Sequence, residues 1–396
     1  MLDFYKLIPQ IDTVGGESAA QQDKAALVMQ EAQALLASLQ SREDEILVRL
    51  KSNEGLPLWP IALPLQPFTN KYKMSELENE FTVIGVDGSQ IMPSQHEMLH
   101  CYLLNIGIVQ INYGSKHEPI LTSTPYFFHK REQLYPLIDR RRLHIDELYV
   151  ALERNLLELE VLSKQALSAA DLGSPVLALI DGSLVPWSLE RMPPTYQSQY
   201  LARMSTILQI FKDRRLPLFG YISNSRSAEV INSMRILICP YDFSHCKDNC
   251  RDLNEDDFPC STISPLTDRR LFLGVLPELS RTAVFLSGSK TSKMFASSLQ
   301  TCFLYCNFGS EIARLECPRW LFEDQEIFEL ALGAVSAQVR RGAGYPVVLA
   351  EAHHQAVIKN ADREQFFALL SKHYVAAGLG KSERSAKAVK KRVSAV

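Results

Sequence analysis

Five consecutive apolar residues, Val176-Leu177-Ala178-Leu179-Ile180, follow a Gly173-Ser174-Pro175 stop and run into Asp181-Gly182-Ser183. Apolarity at every position, instead of every second one, marks a strand covered on both faces, as in parallel sheets flanked by helices. An earlier stretch repeats the arrangement: Phe81 to Val86 is a short β-rich run ending in Asp87-Gly88-Ser89. Between the two lie a strand-like segment over 99–112, a Tyr113-Gly114-Ser115-Lys116 turn, a third strand over Ile120 to Phe127 and a helical stretch over 140–169. Strands joined this closely form an antiparallel meander, because a parallel crossover needs about a dozen residues or more. A helix over 195–213, a strand over Leu218 to Ile222 and a helix over 226–236 follow. The order β-β-β-α-β-α-β-α predicts an α/β fold whose mixed sheet joins an antiparallel meander to parallel strands.

Apolar residues at helical spacing over 17–52 predict a long N-terminal helix broken near Ser41, followed by a proline-punctuated connector from Leu56 to Pro67. Residues 239–270 read as an irregular Cys-rich insertion, and strand-like pieces return at 282–287 and 300–316. A helix over 324–341 is broken by Gly342 to Pro346, then a short apolar run, Val347 to Leu349, precedes a last helix from near Ala352. The expected domains are an N-terminal extension over 1–79, a main domain over 80–375 holding the insertion, and a basic tail over 376–396. With 46% hydrophobic and 22% charged residues the chain can build a core, which excludes a mainly disordered protein. A net charge of -3 confines any polyanion site to a local patch. No apolar run approaches the roughly 18 residues that span a bilayer, and no secretory signal is visible. A cytoplasmic protein with reduced thiols is therefore expected.

Ligands bind beyond the carboxyl ends of strands in open α/β sheets. Two aspartates leaving adjacent apolar strands, Asp87 and Asp181, place hard oxygen donors where Mg²⁺ or Mn²⁺ can be held for phosphodiester cleavage. The plainer reading makes each triplet a turn or helix cap. A rival reading, an actin-like or sugar-kinase-like phosphotransferase, lacks a glycine-rich adenosine segment here. The helix before the second aspartate offers Glu153, Glu158 and Glu160; measured from its Leu152, Leu156, Leu159 and Leu162 stripe, Glu160 lies beside the packed face and Glu158 points more outward. Glu160 is the favoured third ligand. Tyr345 and His353 stand eight residues apart near the C-terminus, and a histidine there can ligate a metal or shuttle a proton.

Val83 to Ser89, Leu179 to Leu184, Gly344-Tyr345-Pro346 and Ala352-His353, with Asp362 to Phe366 beyond, together resemble the NurA nuclease family. The resemblance implies an RNase H-like fold and a Mn²⁺-dependent 5′-to-3′ DNA exonuclease and single-strand endonuclease that resects DNA ends in double-strand break repair. It also implies a homodimer working with a HerA-type hexameric ATPase. Asp87 and Asp181 match the family's strand aspartates, Tyr345 and His353 its late tyrosine and histidine, and the helix acid falls on Glu160, or on Glu158 in an alternate alignment. Lys130, Arg131, Arg140, Arg141, Arg142 and Arg226 are candidate phosphate contacts. Cys239, Cys246, Cys250 and Cys260 are the one metal-like cysteine cluster, a candidate structural Zn²⁺ site without the usual Cys-x2-Cys knuckle, while Cys302 and Cys306 read as core. From another class, a catalytically weak adaptor of a DNA-translocating ATPase would suit the N-terminal helix and basic tail.

Overall fold

A long antiparallel pairing organises the part of the chain that carries the two aspartates. A computed structural model describes residues 3–12, 14–75, 77, 80–93 and 100–378, and the side chains of all of these except 12–22. It divides the chain into two compact units, Glu76–Gly220 with Glu323–Val396, and Met1–Ser75 with Tyr221–Phe322. In the first unit, strand β1 (Phe81–Ile91) pairs with β2 (Tyr102–Tyr113) along its whole length, and β2 pairs with β3 (Ile120–Phe128). Helix α1 (Glu147–Ala170) leads into β4 (Val176–Asp181), which runs parallel to β1 from Thr82↔Val176 to Val86↔Ile180. Helix α2 (Pro194–Asp213) follows, and β5 (Leu218–Ile222), beside β4, carries the chain out of this unit. The predicted element order is the observed one. Val83, Ile84 and Val86 are buried, as are Leu177, Ala178 and Leu179, as strands covered on both faces must be.

The chain returns through α3 (Gln325–Arg341), α4 (Val347–Ala356) and α5 (Asn360–Ala376). The apolar Val347 to Leu349 run is the first turn of α4, not a separate element. Pro346 at the N-cap starts the helix, and the run is apolar because Val348 and Leu349 are buried. Helix α4 lies directly on β1 and β2. A Cβ on Gly85 would come within 2.8 Å of the Val348 carbonyl oxygen, and one on Gly107 would collide with the Ala352 oxygen. Ser89 Oγ and Asn105 Nδ2 donate to the Ala356 oxygen, the latter at 2.8 Å, satisfying a carbonyl that the helix end leaves open.

Three local readings change. Asp87-Gly88-Ser89 lies inside β1, which continues to Ile91 because β2 pairs it throughout (Asp87↔Gly107, Ser89↔Asn105); only the second triplet turns, with Gly182 at φ +117°. Helix α1 begins at Glu147, not at 140: Asp146 caps it by accepting from Tyr149 N at 2.8 Å. The residues before it form a small hairpin that pairs Leu137 with Arg142 and Ile138 with Arg141. The basic tail expected over 376–396 lies, beyond Gly378, outside the described residues.

In the second unit the N-terminal helix is two, Val14–Ser38 and Glu43–Ser52, separated at Ser41 with φ 63°. Residues 1–79 are not an extension apart from the rest. Ala32, Leu36, Ile46 and Leu50 share one core with Ile231, Leu271, Phe285 and Phe303, so 1–75 fold with 221–322 and the expected single domain over 80–375 is divided. The proline-rich connector supplies a strand, Leu63–Pro64 paired with Phe285–Leu286, and just beyond it Lys71–Lys73 pairs with Ser280–Thr282. Residues 300–316 are a hairpin, Thr301–Asn307 against Ile312–Pro318, with Cys302 and Cys306 fully buried. Arg314, buried in this unit, is neutralised by Glu229 at 2.7 Å and Glu316 at 2.8 Å. Among the described residues no helix is long and apolar enough to cross a membrane.

Because the seat of α4 admits no side chain at position 107, Gly107→Ala is expected to lower stability by about 1–3 kcal/mol. A shifted urea midpoint at unchanged slope would show this, and an unchanged midpoint would contradict it.

Candidate active site

Register brings the aspartates together. The last β1–β4 pair is Val86↔Ile180, so Asp87 and Asp181 are the next residues on neighbouring strands, about 4.8 Å apart in backbone spacing. Asp87 Oδ2 lies 2.8 Å from His353 Nδ1 on α4, and its Oδ1 accepts from Gly88 N at 2.8 Å. Tyr345, in the loop before α4, donates to the Asp181 carboxylate. The surrounding protein desolvates Asp181 and raises its pKa; the charge of Asp87 adds to this, while Tyr345 and His353 oppose it. Side-chain exposure of 63% at His353 against 20% at Asp87 leaves the imidazole open to solvent beyond its bond to the aspartate. The structure therefore assembles Asp87, Asp181, Tyr345 and His353 in one place.

The third carboxylate there is Glu158. It is 4% exposed, and a Cβ on Gly88 would collide with its Oε1, so the bare backbone at position 88 gives it room. Its pKa is pushed up to about 8, chiefly by burial, with Arg154 opposing the rise and Asp87 and Asp181 contributing to it. Arg154 Nε lies 3.2 Å from Glu158 Oε1, and its Nη1 donates to Gln90 Oε1 on β1 at 3.2 Å.

Glu160, the expected ligand, is held elsewhere. Arg203 on α2 reaches Glu153 at 2.8 Å and Glu160 at 3.1 Å, and Tyr196 donates to Glu153 at 2.8 Å. Helix α1 has two buried seams, one against α2 and one against the sheet. Glu153 and Glu160, two turns apart, share the first. Glu158 shares the second with Gln165, two turns on, which donates to Gln110 on β2 at 2.7 Å. The leucine stripe shows that the helix packs but not which seam meets the sheet, so Glu160, beside that stripe, lies two residues from the acid that does. An i, i+7 pair of polar residues flanked by Val161 and Leu162 was the available signal; Arg154 had none.

Of the candidate phosphate contacts, Lys130 and Arg131 open the short helix Arg131–Leu134, and Arg140, Arg141 and Arg142 lie in the small hairpin before α1. All five are exposed, and Arg142 Nη1 donates to the Tyr135 carbonyl at 2.8 Å. Arg226 is exposed in the other unit.

Among the described residues no three His, Cys, Asp or Glu side chains are already drawn to the spacing of an ion-filled cage. The donor chemistry nonetheless fits a hard divalent cation, with three carboxylates and an imidazole around one strand edge. A carboxyl buried as Glu158 is keeps its proton near neutrality unless a cation offsets the lost solvent.

A meander, a helix carrying an inward acid and a parallel strand ending in a second aspartate define an RNase H-like α/β protein. The NurA domain model matches residues 81–358, and the chain belongs to the NurA family. The NurA nuclease from Sulfolobus solfataricus has the same fold, with a TM-score of 0.50 at 12% identity over 95% of this chain and 98% of that one. A NurA structure bound to dAMP and manganese matches with a TM-score of 0.36 at 13% identity, over 86% of this chain and 95% of that one. Curated proteins give no match.

The raised pKa of Glu158 has a signed consequence. Its proton is bound more tightly folded than unfolded, so metal-free stability falls as pH rises from about 4.5 to about 8. Glu158→Gln cannot ionise and lacks that decline. In EDTA the variant's melting temperature should gain on wild type across this window, and parallel curves would contradict the burial argument.

Proposed function

We propose that this chain is a divalent-metal-dependent DNA nuclease, with Asp87, Glu158 and Asp181 as metal ligands. The observation that supports it is the register pairing of the two aspartates with a buried helix glutamate behind them. When bound, Mn²⁺ or Mg²⁺ supplies the positive charge that polarises a scissile phosphodiester and makes water a better nucleophile. Asp87 orients His353 through Nδ1, leaving Nε2 to exchange a proton with substrate or solvent. Tyr345, tied to Asp181, offers a phenol that can steer a phosphate oxygen. Arg154 holds Glu158 toward the strands.

The finer reading follows family membership. It comprises Mn²⁺ as the working metal, 5′-to-3′ exonuclease with single-strand endonuclease activity, resection of DNA ends in double-strand break repair, a homodimer, a HerA-type hexameric ATPase as partner and a cytoplasmic location. The exposed cations of 130–142 are the proposed DNA contacts, and their contribution should weaken with added salt.

Degradation of 5′- and 3′-labelled linear DNA with Mn²⁺, Mg²⁺ or EDTA tests the proposal. Cleavage should need the metal and fall at least about a hundredfold in Asp87→Ala and Asp181→Ala, since each loses several kcal/mol of charge stabilisation. Undiminished cleavage in both variants would remove these aspartates from the mechanism. Absence of cleavage with every metal would favour an adaptor role.

A further inference from the structure

The four cysteines of the insertion are used by none of the chemistry above. Cys239, Cys246, Cys250 and Cys260 fall within 22 residues of the second unit. Regular structure there is scant: a four-residue helix, Cys246–Asn249, and two three-residue helical turns, Glu255–Asp257 and Ser261–Ile263. Hydrogen-bonded ladders do not hold this segment in shape. Its interior consists of Cys246, Cys250, Cys260 and Phe258, buried against one another, with Cys239, Trp59 and Ile238 packed around them. All four cysteines are free thiols, and His245 points to solvent, which leaves a set of four sulfurs.

The electrostatics of the surroundings do not match neutral thiols. Arg235 is 3% exposed, and among the described residues its Nε and Nη2 have no hydrogen-bond acceptor; its Nη1 meets Glu255, at 3.4 Å, in the loop between Cys250 and Cys260. The guanidinium stacks 3.7 Å over the Trp59 ring, and the buried Trp59 Nε1 also lacks an acceptor among the described residues. Buried donors without acceptors are costly and rare, and here they border one cysteine cluster. The Leu58 backbone N–H meanwhile donates to the Cys246 sulfur, a bond that favours the thiolate.

We propose that Cys239, Cys246, Cys250 and Cys260 bind one structural Zn²⁺. Four thiols give up their protons on binding, and the resulting centre, Zn²⁺ with four thiolates, carries two negative charges. That charge supplies what Arg235 and Trp59 lack, through the guanidinium's field and N–H···S bonds. The sulfurs are not already set at ion-binding spacing, so side-chain rotations close the tetrahedron. The metal ties the insertion to the end of helix Glu229–Ile238, which Cys239 caps. Arg49 and Asn53 grip the same loop through the Cys239 and Asp242 carbonyls and the Ser244 N–H. None of these residues belongs to the unit that holds Asp87 and Asp181.

Zinc content of the full-length protein, purified without added metal and washed with EDTA, is the first readout. About one zinc per chain is expected in wild type and equally in Asp181→Ala, released by an organomercurial and absent from Cys250→Ser/Cys260→Ser. Should the double variant fail to fold, wild type carries the test alone. Its zinc X-ray absorption should show four sulfurs at about 2.3 Å, and Co²⁺ substitution should give a thiolate charge-transfer band. Zinc-free protein that refuses Co²⁺, or a zinc shell of oxygen and nitrogen, would overturn the proposal, as would full zinc content in a folded double variant.

Discussion

The parallel pairing of β1 with β4 sets the position of every group at the candidate site. A slip of one residue would turn the Asp181 side chain to the other face of the sheet, because side chains alternate along a strand. Both strands are buried on two faces, so such a slip would also strip a continuous apolar run from the core. The same pairing fixes where α4 can lie. Gly85 and Gly107 leave the sheet bare beneath that helix, whose backbone then approaches closely enough for His353 to meet Asp87.

Each acid at this edge has a side-chain partner: His353 for Asp87, Tyr345 for Asp181 and Arg154 for Glu158. These partners orient the carboxylates without neutralising the group, and Glu158 still sits far above its ordinary pKa. On the proposed function the arrangement trades stability for affinity: the closer three carboxyl groups are held before a cation arrives, the less must be reorganised when it does. Gly88 belongs to this trade, since a side chain there would displace Glu158 from the strand edge.

Much of this was legible in the sequence, for definable reasons. Apolar, β-rich runs marked β1 and β4, and the two aspartates followed because each stands directly after its run. The helix acid was not legible in the same way. Helix α1 buries two seams, and nothing local tells which of them faces the sheet; Glu160 pairs with Arg203 on α2, a partner 43 residues away. The first Asp-Gly-Ser looks like a turn but is strand, because β2 continues its hydrogen bonding past Val86. The alliance of 1–75 with 221–322 rests on contacts such as Ala62 N to the Glu229 carbonyl, which no local pattern announces.

The central claim is that Glu158, not Glu160, completes the metal site. Titration of Mn²⁺ into wild type, Glu158→Gln and Glu160→Gln, following loss of the free-ion electron paramagnetic resonance signal, tests it directly. The account predicts that Glu158→Gln weakens binding at least tenfold to a hundredfold, the scale set by losing even a ligand's partner. Glu160→Gln should bind like wild type, because Arg203 retains Glu153. Weakened binding in Glu160→Gln beside an unaffected Glu158→Gln would contradict the account.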